Sequence, residues 1–423
     1  MAIFTDAEII EIIKEHQSSS RRDKLVQLQA LYDAENPQIL RSGSQKAMKG
    51  KTPNNVIPTG YYSTVTDTMA GYMFQEVQYT CMDETLQENL DAILRANNIQ
   101  VEDMVMGTSA LAYNRGVEYI YTDVNSDIKV KKLNPANTIV LYSQDIESIA
   151  IAAINYSVAD SQKEIYNVLY IEPKLKRTFK LKGEKITEAV DVPLYFSVLP
   201  VIEYKAQILG HKAPFEVIVP YIEALDALIS GNANEIDRLT DAILLLGSTI
   251  DQADLAHMED IKAFMDVKAE DRYEYITKES SPEFRKYVSE LLIREIYKHS
   301  HTVDWTASSE GQVSDASGKA LKMRLFDMDM YSKRIEMAYR EGAQNRLIAL
   351  SDLAVPLNMP IGDVRITYHR TMIDDLLDDA VKLEQVTFLT DITKREMLHV
   401  DEEKEQERIA EERPEGVIID TEV

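Results

Sequence analysis

The sequence predicts an α+β fold, with strands and helices in separate stretches of the chain. Three observations carry this. Alternating, β-branched-rich segments crowd between Val117 and Tyr204. Helical apolar spacing dominates on both sides of that block. The two kinds of element are segregated, and this favours antiparallel strands over a βαβ sheet.

Taken in order, Asp6–Ala34 reads as helix, with Ile9, Ile12, Ile13, Leu25, Leu28 and Leu31 at helical spacings. Residues Asn36–Asn55 form a polar stretch of loop chemistry, with Lys46, Lys49 and Lys51 as a local basic cluster or simply an exposed loop. Tyr61–Phe74 and Thr85–Arg115 are again helical, and Gly116 is a plausible stop for the second. Val117–Asp123 and Ile128–Leu133 flank Val124-Asn125-Ser126-Asp127, a hairpin signal. Ile139–Tyr142, Ala150–Val158, Ile165–Ile171 and Arg177–Leu181 extend the strands, and Pro200-Val201-Ile202-Glu203-Tyr204 closes them.

A long helix opens at Pro220, which suits a first-turn position. Ile222, Leu225, Ile229, Asn232, Ile236, Leu239, Ile243 and Leu246 repeat along it, with a period of about 3.5 residues. Such a repeat fits a seam between helices of neighbouring subunits, where Asn232 would set register. It fits equally an amphipathic core helix within one chain. After Gly247 comes a compact insert, with a helix near Ala253–Ala263 and strands near Phe264–Lys268 and Tyr273–Thr277. Ser281-Pro282-Glu283 then places a cap, a first-turn proline and an early carboxylate at the head of a second helix. That helix carries Val288, Leu291, Leu292 and Ile296 to Ser300. A polar loop with the single tryptophan, Trp305, follows, then a helix from Ser317 and a strand at Val364–Tyr368. From Thr371 onward 17 Asp and Glu face 6 Lys and Arg. The first part of this stretch keeps helical spacing, and Asp401–Val423 is expected to be disordered.

The net charge of −25 over 423 residues argues against a phosphate clamp, which needs a basic footprint. It is compatible with solubility alone, or with a conduit that lets nucleic acid slide. Cys81 is the only cysteine, so no internal disulfide is expected and a small core residue is. Neither a secretory signal nor a membrane span is expected.

Catalytic motifs are missing. Six residues separate Gly311 from Gly318, and Ala320 follows Lys319 where a phosphate loop needs Ser or Thr. His299, His301 and Asp304 are a poor zinc set. Asp374, Asp375, Asp378 and Asp379 read as a solvated helix face. No enzyme activity, cofactor or metal is expected.

Seven short strings occur in an order that resembles the portal family of tailed bacteriophages, chiefly siphophages of Gram-positive hosts. They are Asn36-Pro37-Gln38-Ile39, Asn54-Asn55-Val56-Ile57-Pro58, Asp67-Thr68-Met69-Ala70-Gly71-Tyr72-Met73-Phe74, Asn134-Pro135-Ala136-Asn137, Pro200-Val201-Ile202-Glu203, the Asp226…Ser230…Asn234-Glu235-Ile236 run, and Ser317-Gly318-Lys319-Ala320-Leu321-Lys322. The chain departs from the family's habit at Gln75-Glu76-Val77 and at Tyr204-Lys205-Ala206.

The resemblance implies a portal-type subunit: an α/β wing (1–215 and 318–368), two long antiparallel stem helices (216–247 and 281–300), a small α/β clip (248–280), a tunnel loop (301–317), a helical crown (369–400) and an acidic tail (401–423). It implies copies closing into a ring, typically of twelve, at one capsid vertex. Double-stranded DNA would pass without sequence recognition, driven by the terminase large subunit. Further implied partners are the major capsid and scaffolding proteins and a head-completion or adaptor protein, with no membrane. Assembly would take place in the host cytoplasm. Asp304, Trp305, Ser308 and Glu310 are the candidates for the channel's narrowest point, although Trp305 could equally anchor the loop. Lys286, Arg294 and Lys298 would line the bore or lie on an outer face. The competing reading is another phage structural or adaptor protein with a helical oligomerisation seam.

Overall fold

The computed structural model describes residues 3–35, 55–160, 165–240, 282–304, 318–353 and 364–370. The basic stretch with Lys46, Lys49 and Lys51, the insert 248–280, Ile243, Leu246, Trp305, Ser308, Glu310 and everything from 371 onward lie outside them. The chain divides into two compact units, one of residues 1–304 and 327–371, the other of 305–326 and 372–423. The helix Gly318–Leu353 begins in the second unit and continues into the first. All contacts described here lie within the first.

Where a single helix was expected over Asp6–Ala34, two form: α1 (Asp6–Gln17) and α2 (Ser20–Tyr32). The break has a local cause. The Ser18 hydroxyl donates back to the Lys14 and Glu15 carbonyls, and the Ser19 hydroxyl accepts from Arg22 N–H at 3.2 Å, capping α2. At the other end of α1, Thr5 and Glu8 form a capping box. Helix α3 (Tyr61–Phe74) matches its expected span.

The predicted helix Thr85–Arg115 is also two, α4 (Glu84–Ala96) and α5 (Ile99–Tyr113). Asn97 bonds back to the Ile93 carbonyl, and Asn98 takes a left-handed φ of +49°, a conformation that asparagine tolerates better than most residues. The stop after α5 is Asn114 (φ +52°) and not Gly116. Gly116 opens the next strand, where a Cβ would sit 2.9 Å from the Met106 carbonyl oxygen.

Among the described residues all strands pair antiparallel with their neighbours. Strand β1 (Glu76–Cys81), which the sequence reading missed, pairs with β10 (Val364–His369), Tyr79 opposite Ile366. β2 (Gly116–Thr122) and β3 (Ile128–Lys132) form the expected hairpin. β9 (Val201–Tyr204) joins the other edge of β2. A five-stranded meander runs β4 (Thr138–Tyr142), β5 (Ala150–Asp160), β6 (Ile165–Glu172), β7 (Leu175–Lys182) and β8 (Lys185–Pro193). The last of these was also missed.

Helix α1 presses Ile9 and Ile13 onto one face of the meander, against Ala152, Ile154, Tyr156, Val168, Tyr170, Phe179 and Leu181. Part of the opposite face packs through Ala153 and Ile171 onto Val117, Tyr119, Leu199 and Val201. Three further helices complete the described chain: α6 (Val219–Thr240), α7 (Pro282–Ser300) and α8 (Gly318–Leu353). Cys81 is buried.

Candidate functional site

Helices α6 and α7 lie antiparallel. Tyr221, at the start of α6, stacks on His299, at the end of α7, with ring centroids 5.4 Å apart. Arg285, in the first turn of α7, donates to Asn232 Oδ1 at 2.8 Å and ion-pairs with Glu235 late in α6. Each helix therefore begins beside the other's end. Tyr61 of α3 meets Tyr297 of α7 edge-on at 5.9 Å.

An extended segment straps α6 along one side. Asn55 N–H donates to Asn234 Oδ1 at 2.6 Å, Ile57 N–H to Ser230 Oγ at 3.0 Å, and Thr59 N–H to Asp226 Oδ1 at 2.8 Å. The Thr59 hydroxyl adds a second donor to Asp226 at 2.6 Å. The register follows from geometry. Two residues of extended chain advance about 6.6 Å, and four residues of helix advance about 6 Å. Alternate N–H groups of the strap thus meet side chains one helical turn apart, as a ladder would, although one rail is a helix. Asp226 and Ser230 are buried and the bonds to them are partly buried, so each acceptor also settles a backbone donor of the strap.

Beyond α7 the chain turns sharply. His301 has φ +57°; its ring stacks on Tyr331 of α8 at 4.3 Å, and Nδ1 lies 2.8 Å from Asp327 Oδ2. Ser300 and Thr302 hydroxyls share a hydrogen bond of 2.6 Å. Asp304 is partly buried beside the Tyr61–Tyr297 pair. Burial raises both phenols, that of Tyr297 to about 12, and the Asp304 charge pushes in the same direction.

The deepest polar feature is a hub around Arg346 of α8, which has no exposed surface. Its guanidinium ion-pairs with Asp103 of α5 and takes Glu118 of β2 in a fork, at 2.7 Å to Oε1 and 2.8 Å to Oε2. Tyr79 of β1 donates to Asp103 Oδ2 at 2.8 Å, and Tyr204 of β9 to Glu118 Oε1 at 2.6 Å. Burial holds the Asp103 carboxyl above its ordinary range, against the pull of Arg346. For Arg346 burial works against the charge, but Asp103 and Glu118 outweigh it and raise the guanidinium further. Gly342 lets α8 approach, since a Cβ there would fall 2.6 Å from the Tyr204 ring. A second buried pair, Arg115–Glu203 at 2.6 Å, ties β9 to the start of β2, and Arg115 also donates to the Pro135 and Thr138 carbonyls.

A family model of phage portal proteins, SPP1 Gp6-like, matches residues 12–417. The chain belongs to this family. Its function is that of a phage portal protein. Among solved structures, the chain is similar to a component of the neck of a native gene transfer agent particle computed with C12 symmetry, at 11% identity and TM-score 0.47, covering 85% of this chain and 98% of that one. A component of the virion of the native particle gives 12% and 0.43, covering 86% and 93%. The neck of the empty particle, computed with C6 symmetry, gives 12% and 0.44, covering 82% and 91%. No curated protein matches.

In this portal chain the expected site residues are dispersed. Ile222 and Leu225 are buried within the chain itself, Ile229 is half-buried and Ile236 is 63% exposed. The backbone of Leu239 lies in α6. Asn232 bonds to Arg285 of its own chain. Lys286, Arg294 and Lys298 are exposed on α7; Lys286 lies 3.6 Å from Glu290 and Lys298 3.3 Å from Glu295. His299 and His301 turn to Glu295 and Asp327 respectively, so they do not converge. Among the described residues no group of three metal-ligating side chains is present, and no helix is long and apolar enough to cross a membrane. The sequence reading missed Asp103, Glu118 and Arg346 altogether. The strap's two sides stand in the sequence as separate strings, Asn54–Pro58 and the Asp226…Asn234 run, and no spacing pairs them.

Proposed function

We propose that copies of this chain close into a ring, typically of twelve, at one capsid vertex, as a conduit through which double-stranded DNA is packaged and later ejected. The observation that carries this reading is the portal-family match over residues 12–417, and the antiparallel α6–α7 pair supports it. In this reading α6 and α7 are the stem around the bore. Residues 248–280 are a clip for the terminase large subunit and later the head-completion or adaptor protein. Residues 1–215 and 318–368 form a wing against the major capsid and scaffolding proteins, and 369–400 a crown. The loop 301–317, entered through Asp304, is the constriction. The protein performs no catalysis, and the motor supplies the work. It assembles in the host cytoplasm and resides in the virion.

The hub and the strap suit this role. A conduit that carries load needs its layers to move as one body, and buried charge-assisted bonds tie α8, α5, β2 and β9 into such a unit. The exposed bases of α7 are spaced at one and two turns and interrupted by Glu290, a mixed stripe that contacts phosphates without holding them.

The test is direct. Purified protein should run as a particle roughly twelve times the 48.1 kDa chain, with a central hole in negative-stain images. A chain that stays monomeric at high concentration would overturn the proposal. Deleting 305–314 should abolish packaging and leave the ring; loss of the ring would refute the assignment of that loop.

A further inference from the structure

Residues 174–185 run against the character of the whole chain. They carry Lys174, Lys176, Arg177, Lys180, Lys182 and Lys185 against Glu184 alone, in a protein of net charge −25. The fold pairs Arg177 with Asp6 and Asp191, and leaves other members of the group on one face. Phe179 and Leu181 of β7 point into the core under α1. Strand alternation therefore places Lys180 and Lys182 on the opposite face of the meander. Lys182 lies directly across from Lys185 in the β7–β8 register.

Two like charges directly opposed across a hairpin destabilise it. Lys180 has a counter-ion in Glu188 at 2.7 Å. Among the described residues Lys182 and Lys185 make no ion pair, and both are exposed. Further along the same hairpin, Val190 opposite Thr178 is 56% exposed and Val192 opposite Lys176 is 43% exposed. Both sit on β8, one of the two edge strands of the sheet. Lysines on an edge strand keep it from pairing edge-to-edge with another strand, so what this face offers a partner is charge.

We infer that the β7–β8 edge docks an acidic surface of the neighbouring copy, with Lys182 and Lys185 meeting carboxylates and Val190 and Val192 packing further along the hairpin. This rests on the ring reading above. A ring is built from heterologous contacts, each joining two different surfaces of the same chain. Copies at −25 each repel one another, so a contact needs a local patch of opposite sign. These twelve residues supply one, and the rest of the chain is more acidic still.

The experiment uses the full chain. An equal mixture of isotopically light and heavy protein is assembled and treated with a zero-length carboxyl–amine crosslinker. Lys182 and Lys185 should appear in light–heavy crosslinked peptides, whereas links confined to one chain would overturn the inference. In parallel, K182E/K185E should assemble roughly tenfold less at moderate salt, with an unchanged circular-dichroism spectrum. K182R/K185R should assemble normally. Should the glutamate variant misfold, the crosslinks of the wild-type chain decide alone. Wild type that forms no ring removes the ring reading and this inference together. Wild type and K182E/K185E that form rings equally well remove only the inference, as does a lysine pair that is crosslinked to a capsid protein or bound to DNA and not to a second copy.

Discussion

The backbone N–H of Ile57 donates to the hydroxyl of Ser230 across 173 positions of sequence, at 3.0 Å. It is the middle rung of a ladder between an extended strap and a helix. Removing this acceptor leaves a partly buried backbone donor without its partner. Ser230→Ala should cost about 1–2 kcal/mol, and Asp226→Ala, which strands two donors, about 2–3 kcal/mol. Urea unfolding midpoints at constant m would measure both, and a reversed order would show that the strap is held by something other than these bonds.

Arg346 faces two carboxylates, Asp103 and Glu118, inside the first unit. Arg346→Met should destabilise the protein by about 3–5 kcal/mol, because the carboxylates remain without their cation. Replacing all three groups with apolar residues of similar volume should recover much of that loss. Thermal melts of the single and triple variants test this; a single variant as stable as wild type would show that the hub carries no net stabilisation.

Arg285 joins the open end of the α6–α7 pair through Asn232 and Glu235. The ion pair is partly exposed, so Arg285→Ala should cost at most about 1 kcal/mol globally. Locally the effect should be plainer. Hydrogen exchange should quicken at residues 230–236 and 282–288, with little change at Tyr221–Leu225, where packing and the Tyr221–His299 stack hold the helices.

His16 packs edge-on against Tyr156, and its Nδ1 lies 2.8 Å from the phenol oxygen. Burial, reinforced by Arg115, Arg22 and Arg21, lowers its pKa to about 4. In the unfolded chain it titrates near 6.5. Between these values the unfolded state holds the extra proton, so stability rises with pH. The contribution is complete above about 6.5 and is lost as pH falls towards 4. The difference in stability between wild type and His16→Gln should therefore vary with pH across that window and be flat above pH 7.

What was legible in the sequence was what short-range chemistry decides. Alternation around Val124-Asn125-Ser126-Asp127 gave the β2–β3 hairpin, and Pro282 with Glu283 marked the head of α7. The errors were local too: Ser18-Ser19 and Asn97-Asn98 sit inside apolar periodicity that runs through them, and their side chains compete with the helix for backbone groups. Strand β1 was invisible because its partner lies in β10, far along the chain. Arg346, Asp103 and Glu118 were passed over for a different reason. A charge in a helix or strand reads as a solvated face until the fold brings opposite charges around it, and nothing in their spacing announces that. Asp226, Ser230 and Asn234 stood out as a string, yet their role depends on Asn55–Thr59, which no periodicity connects to them.

The β1–β10 pairing also bears on how the subunit is made. Strand β10 is synthesised some 280 residues after β1, so the outer edge of β1 waits bare through most of translation. Long-range pairing of this kind forms late and slowly. Until it forms, the nascent chain exposes a sheet edge that can recruit the wrong partner. A chain stalled before Val364 would carry both helices of the α6–α7 pair and still lack the one partner of β1 in its two-stranded sheet. An unfinished subunit is therefore open to mispairing until the ribosome delivers the second strand.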